Sequence, residues 1–310
     1  MFGDEQMPED ETSGGFKMPA TDVQETKYAL TKLLNNSYGK SRVRLTKVMR
    51  ESSPPKWKEI TVESELIGDE FDGCYYDGDN SKIITTDAQK NTVYVIASKN
   101  NLNSIEEYGM ALAKHYLDDY SHVKEVIIRI QEELWNNIPV NGSVHPTAFV
   151  KCAGDTRTTA IRMDRKKTDV VSGVENMVVA KITQSEFFGF IKDSYTTLKD
   201  THDRIFGTSV TANWTFATTQ TDFNAAYETA RKVMLETFAN HHSLSAQQTL
   251  YAMGDAVLNA IKDIEKISLV LPNLHRLPFD LKPLGQENRN EIFVNTTEPQ
   301  GTIKGTVGRK

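Results

Sequence analysis

No stretch of this chain approaches the roughly 20 consecutive apolar residues that a helix needs to cross a bilayer, so a helical membrane protein is not expected. Cysteine is scarce: only Cys74 and Cys152 occur in 310 residues. Their separation fits neither a zinc site nor a disulfide framework, and a reducing compartment is the default. A surplus of positive charge is lacking too, since 36 Lys and Arg stand against 42 Asp and Glu, a formal charge of −6. Nucleic acid and anionic membrane both demand a basic face, which argues against either as a main partner. The cofactor signatures are also missing. No Gly-x-Gly-x-x-Gly follows a strand, and there is no Walker loop, Gly-x-Ser-x-Gly elbow or His-Glu-x-x-His helix. The seven histidines are scattered; only His241 and His242 adjoin, and neighbours at a helix end do not converge on one metal. Neither a metal nor an organic cofactor is expected, so any activity must come from side chains.

What is present describes a soluble globular protein with room for two domains: 38% hydrophobic and 25% charged residues. The first 28 residues are acidic, carry Gly-Gly and two prolines, and have no apolar core of a signal peptide. They read as a mobile arm. The last residues, Val-Gly-Arg-Lys, are not a Ser-Lys-Leu-type peroxisomal address, and a cytoplasmic setting is expected.

Periodicity divides the rest into two similar halves. Residues 38–50 and 57–66 alternate apolar and polar positions, as an antiparallel strand pair does. Thr86-Asp87-Ala88-Gln89 reads as a capping box with Thr86 as cap, opening a helix to about residue 99. A second helix follows, with Ile105, Tyr108, Leu112, Tyr116 and Tyr120 on one face. Residues 123–135 and 145–163 return to strand character around an Asn141-Gly142 turn. The order then repeats. Strands are expected at 174–190 and 209–216, helices at 224–240 and after the Ser245 to Gln248 capping box, and strands at 266–281 and 291–307. This is an α+β pattern: two antiparallel four-stranded sheets, each with two helices on one face, as domains 29–167 and 168–310 behind the arm of residues 1–28. Half-covered sheets with free edges point to oligomerisation.

The densest chemistry lies in residues 185–208. Phe187, Phe188 and Phe190 offer stacking surface, and Arg204 offers a rigid fork of donors. Such a group suits a flat polar ligand, although aromatic clusters of this kind also serve as plain core.

Five segments gather around it: Tyr38-Gly39-Lys40; Thr86-Asp87 with AQKNTVY; residues 187–204; Ser245-Ala246-Gln247; and Leu271-Pro272-Asn273-Leu274-His275. In order and spacing, YGK, TDxxKNT, FxGFxxDxYTTLxxTxDR and LPNxHxxxxDL resemble the urate oxidase (uricase) family over nearly everything from Tyr38 onward. The resemblance implies a tandem pair of tunnelling-fold (T-fold) domains, urate and O2 as substrates, no cofactor, and a homotetramer with active sites at subunit interfaces. It also implies roles. Arg204 and Gln247 clamp the purine, Phe187 stacks on it, and Asp87 and Ala246 meet it through their backbones. Asn273 faces oxygen or water above the ring. Lys40 and Thr86 match the catalytic dyad, with His275 beside them. A lysine serves as base only if its ordinary pKa of about 10.4 is pulled down by burial or nearby cations. Ala246 stands where relatives often carry valine, at a backbone contact that tolerates the change. Two rival readings stay open at this point: a zinc-dependent T-fold enzyme acting on a pterin or purine, and a purine-binding homologue without turnover.

Overall fold

The computed structural model describes residues 30–296 and 298–310. The chain divides into two compact units, Met1–Asn35 and Asn36–Lys310. The acidic arm of residues 1–28 lies outside the described residues, and residues 30–35 are a turn followed by irregular chain.

The second unit begins with strands β1 (Tyr38–Met49) and β2 (Lys56–Ile67), a short helix α1 (Asp72–Tyr76), helices α2 (Thr86–Lys99) and α3 (Ile105–Asp119), and strands β3 (Glu125–Val140) and β4 (Ser143–Asp164). It continues with β5 (Thr168–Lys181), β6 (Phe206–Phe216), α4 (Phe223–Asn240), α5 (Ala246–Ala260), β7 (Ile264–Pro272), β8 (His275–Pro278), β9 (Phe293–Thr296) and β10 (Thr302–Gly308). The main strands form one sheet in the order β1-β2-β3-β4-β5-β6-β7-β10, while β8 and β9 make a separate ribbon.

Antiparallel register accounts for how the core is assembled. One rung crosses all eight strands: Val43, Val62, Ile130, Thr159, Ser172, Trp214, Ile267 and Val307. Each of these is buried. The adjacent rung runs Arg44, Thr61, Gln131, Thr158, Gly173, Asn213, Ser268 and Thr306, almost entirely polar. Because side chains alternate between faces along a strand, one face of the sheet is apolar and carries the helices while the other is bare and polar. Buried stripes on α3 (Tyr108, Leu112, Tyr116) and α5 (Leu250, Met253, Val257) fill the apolar side of their respective halves.

The two expected four-stranded sets are present, and they are continuous through β4 and β5. The join is a tight turn in which the Asp164 carboxylate accepts from the amides of Lys166 (2.6 Å) and Lys167 (2.7 Å). A turn this short leaves the flanking strands no course but to pair, which they do from Thr156 opposite Glu175 to Met163 opposite Thr168. Above the join, in the middle of the apolar rung, lies a buried polar cluster. Glu106 on α3, wholly buried, accepts from Arg157 (2.7 Å) and from Ser172 (2.7 Å), and Arg157 also donates to Asn224 on α4 (2.7 Å). A buried charge is tolerated only when paired and hydrogen-bonded, and each of these partners comes from a different element.

Three local expectations are corrected. The strand expected at 174–190 stops at Lys181, because Gln184 (φ 58°) and Gly189 (φ 73°) turn the backbone out of the ladder. The strand expected at 266–281 breaks after Pro272, and β8 starts anew beside β9. The cap of α2 is Thr85, whose hydroxyl accepts from the Ala88 amide at 3.1 Å. Thr86 is therefore the first helical residue. Gln89 is not a box partner but a buried link, taking a hydrogen bond from Ser64 (2.9 Å) and donating to the Ile84 carbonyl (3.2 Å). Among the described residues no helix is long and apolar enough to cross a membrane.

Candidate functional site

The site is built where the sheet's second half meets the irregular crossing between β5 and β6. That crossing, residues 182–205, is fixed by backbone bonds rather than by a sheet. Phe187 and Thr201 exchange amide bonds of 2.8 and 3.0 Å, and the Arg204 amide donates to the Ser185 carbonyl at 2.9 Å. These contacts fold the segment back on itself and bring Arg204 across the ring of Phe187, 5.3 Å from guanidinium carbon to ring centroid. Phe190 stacks on Phe187, with 5.0 Å between centroids and 13° between planes. A cation over an aromatic face is held with its fork edge free to point elsewhere.

The resulting cleft has a volume of about 360 Å³, and Phe187, Arg204, Ala246, Gln247, Asn273 and His275 all line it. Six of the nine residues singled out in the sequence thus meet in one place. Each arrives by its own local logic. The Ser245 hydroxyl caps α5 by accepting from the Gln248 amide (3.1 Å), which leaves Ala246 and Gln247 in the first turn, facing the cleft at the positive end of the helix. Asn273 sits just past the end of β7, where its amide bonds to the Gly301 carbonyl (2.8 Å) and the following amide, that of Leu274, to Gly207 (2.9 Å). His275 opens β8 opposite Thr296. Arg276 stiffens this corner by donating to the carbonyls of Leu274 (3.0 Å) and His275 (3.1 Å).

Arg204 brings a half-buried cation to the cleft wall. Arg204 Nε is buried with no hydrogen-bond partner, and burial pulls the guanidinium below its usual pKa. A buried donor left without an acceptor costs on the order of 1–3 kcal/mol. Among the described residues, no group of three His, Cys, Asp or Glu is placed to hold a metal ion.

The other three residues lie in the first half. Lys40 is half-buried on β1, opposite Ser64 on β2, in a shallow depression of about 340 Å³ lined by Ser37 to Ser41 and Glu63 to Glu65. Gly39 permits this pairing, since a Cβ there would lie 1.7 Å from the Ser64 carbonyl oxygen. Thr86 and Asp87 are exposed at the start of α2. The Asp87 carboxyl is held below its ordinary range, first by Lys90 and also by the charge of Lys40. The Tyr38 hydroxyl accepts from the Ile84 amide at 2.8 Å and so ties β1 to the segment that enters α2. The charge of Lys40 thus reaches Asp87, next to Thr86 in the chain, and the depression that Lys40 lines is a different one from the cleft that His275 lines.

Three side chains on the segments that carry Phe187, Arg204 and Gln247 were not picked out from the sequence. Glu186 takes hydrogen bonds from His242 and, at 3.4 Å, His202. The only sequence signal was the His241-His242 pair, set aside because adjacent imidazoles do not share a metal.

Known proteins resemble this chain over most of its length. The Uricase family model matches residues 36–162 and 170–304. A uricase of Dictyostelium discoideum is 39% identical over 281 residues, covering 89% of this chain and 97% of its own. The uricase of Arthrobacter globiformis is 38% identical over 275 residues, 89% of each chain. Its crystal structure superimposes with a TM-score of 0.86, covering 90% of this chain and 96% of that one. A Bacillus sp. TB-90 urate oxidase, at 20% identity and TM-score 0.79, shares the fold. With the match spanning both halves of the sheet and every element that forms the cleft, the chain belongs to the uricase family.

Proposed function

We propose that this protein oxidises urate with O2 and water to 5-hydroxyisourate and hydrogen peroxide. Two electrons leave the purine, O2 gains them with two protons as peroxide, and water supplies the new hydroxyl oxygen at ring carbon 5. The observation that carries the reading is the Arg204 guanidinium over the Phe187 ring in a cleft that Gln247, Asn273 and His275 also line, in a chain of this family. Charge-assisted bonds from a guanidinium to an anion contribute about 1.5–3 kcal/mol each. Gln247 adds a donor and an acceptor for a lactam edge. Asn273 faces the position above the ring where O2 or water sits.

Proton removal falls to Lys40 and Thr86, with His275 completing the relay and the backbone of Asp87 meeting the far edge of the substrate. Lys40 and His275 line different depressions, so a complete site needs the first half of one chain against the second half of another. A homotetramer with sites at subunit interfaces meets that need, and the bare polar sheet face and open edge strands β1 and β10 favour assembly. The division into domains 29–167 and 168–310 and the cytoplasmic setting belong to the same proposal.

The test is direct. Purified protein treated with EDTA is mixed with urate in air while urate absorbance and peroxide are followed. Turnover with one peroxide per urate is expected; none would overturn the assignment. In the same assay Lys40→Met should lose most of its turnover, on the order of 10²-fold or more for a general base. Wild-type rates from that variant would remove Lys40 from the mechanism.

A further inference from the structure

The wall that carries Phe187 and Arg204 and the turn that carries Gln247 are separate pieces of chain, and both must keep their spacing for a planar ligand to be clamped. Their connection is narrow. The Glu186 amide donates to the Ser243 carbonyl (2.7 Å) and the Ser243 amide to the Gln184 carbonyl (3.0 Å), a short parallel bridge between residues 184–186 and the α4–α5 turn. The Ser243 hydroxyl is in turn bonded by Thr249 from the first turns of α5, at 2.7 Å.

The side chain of Glu186 adds a second attachment at the same place. One carboxylate oxygen accepts from His242 Nε2 and the other from His202 Nδ1 at 3.4 Å. His242 belongs to the α4–α5 turn and His202 to the limb that returns to Arg204, where it also packs against Phe188 with 4.6 Å between centroids. The Glu186 side chain is 18% exposed, and the His242 hydrogen bond holds its carboxyl below the usual range. We propose that Glu186 is a positioning residue for urate: through His242 and His202 it sets the Phe187–Arg204 wall at a fixed distance from Gln247. This rests on the urate reading of the cleft. The two imidazoles are half or more exposed (54% and 72%), and ion pairs in that setting add little net stability. The effect of the clasp is therefore on the geometry of binding rather than on folding.

Hydrogen exchange and kinetics on the full chain decide it, using wild type, Glu186→Ala, Glu186→Gln and His242→Ala. Glu186→Ala should speed amide exchange in residues 243–249 as well as in 183–188. It should also raise the urate KM about three- to tenfold while kcat stays within about twofold. Glu186→Gln, which keeps an acceptor for the imidazole, should restore most of the affinity, and His242→Ala should reproduce the alanine effect. Unchanged exchange in 243–249, or a kcat loss at constant KM, would overturn the proposal. If wild type leaves urate untouched, the urate reading fails by itself, and the exchange comparison still decides whether Glu186 clasps the turn.

Discussion

Arg204 shows what a single residue reveals at each level. Its identity as a ligand fork was legible in the sequence only through the motif around it, because an isolated arginine reads as a surface ion-pair partner. The structure adds that its Nε is buried and unpaired and that its plane lies over Phe187. In the free protein that Nε makes no hydrogen bond, and the guanidinium is held by the Phe187 ring instead. Arg204→Lys keeps the charge and loses the planar donor pair. The expected outcome is a urate KM raised roughly tenfold or more, equivalent to one lost charge-assisted bond, with a thermal midpoint within about 2 °C of wild type. A comparable drop in stability would mean that the guanidinium holds the fold. Glu186 and His242, by contrast, could not be read from the sequence. They lie 56 residues apart, and nothing in either local pattern records that the chain returns there.

At the scale of elements, strands and helices were legible wherever one face is buried, as in β2, β6 and α5, since alternation and helical spacing write burial directly into the sequence. The misreadings fall where backbone bonds replace side-chain pattern. Residues 182–190 looked like a strand because Phe187, Phe188 and Phe190 are apolar, yet their amides answer to Thr201 and Ser243. At α2 two threonines compete for the cap, and the structure gives it to Thr85. The roles should separate by mutation. Thr85→Ala should cost about 1 kcal/mol of stability, the usual value of an N-cap, measured by urea unfolding. Thr86→Val should leave the unfolding midpoint in place and reduce urate turnover. A turnover loss confined to Thr85→Ala would reassign the hydroxyl of the dyad.

For the whole molecule, the acid side of the stability curve should fall in two steps. Burial, followed by the charge of Lys181, holds the His241 imidazole below its ordinary 6.5. Its folded pKa is below its unfolded one, so its contribution is complete above the unfolded value and is lost as pH falls below it. Asp164, bonded to the amides of Lys166 and Lys167, and Glu65, bonded by Ser37 and Arg129, are likewise held below 3.8 and 4.5. Their contributions persist above those values and disappear as pH drops through the folded ones. Thermal midpoints should therefore decline modestly as pH falls below about 6.5 and further as it falls below about 4.5. His241→Gln should flatten the first decline alone, and an unaltered profile would rule out His241 as its source.

The repeated order of elements was visible in the sequence, but the cluster over the join was not, because Glu106, Arg157, Ser172 and Asn224 each look like ordinary polar residues of their own segments. Glu106 stands on one side of the β4–β5 turn, and Ser172 and Asn224 on the other. A chain severed at that turn would leave the first fragment with a buried carboxylate short of a donor and the second with a hydroxyl and an amide aimed at nothing. Glu106 and its partners thus act as a rivet across the join, so that each half completes the buried polar groups of the other.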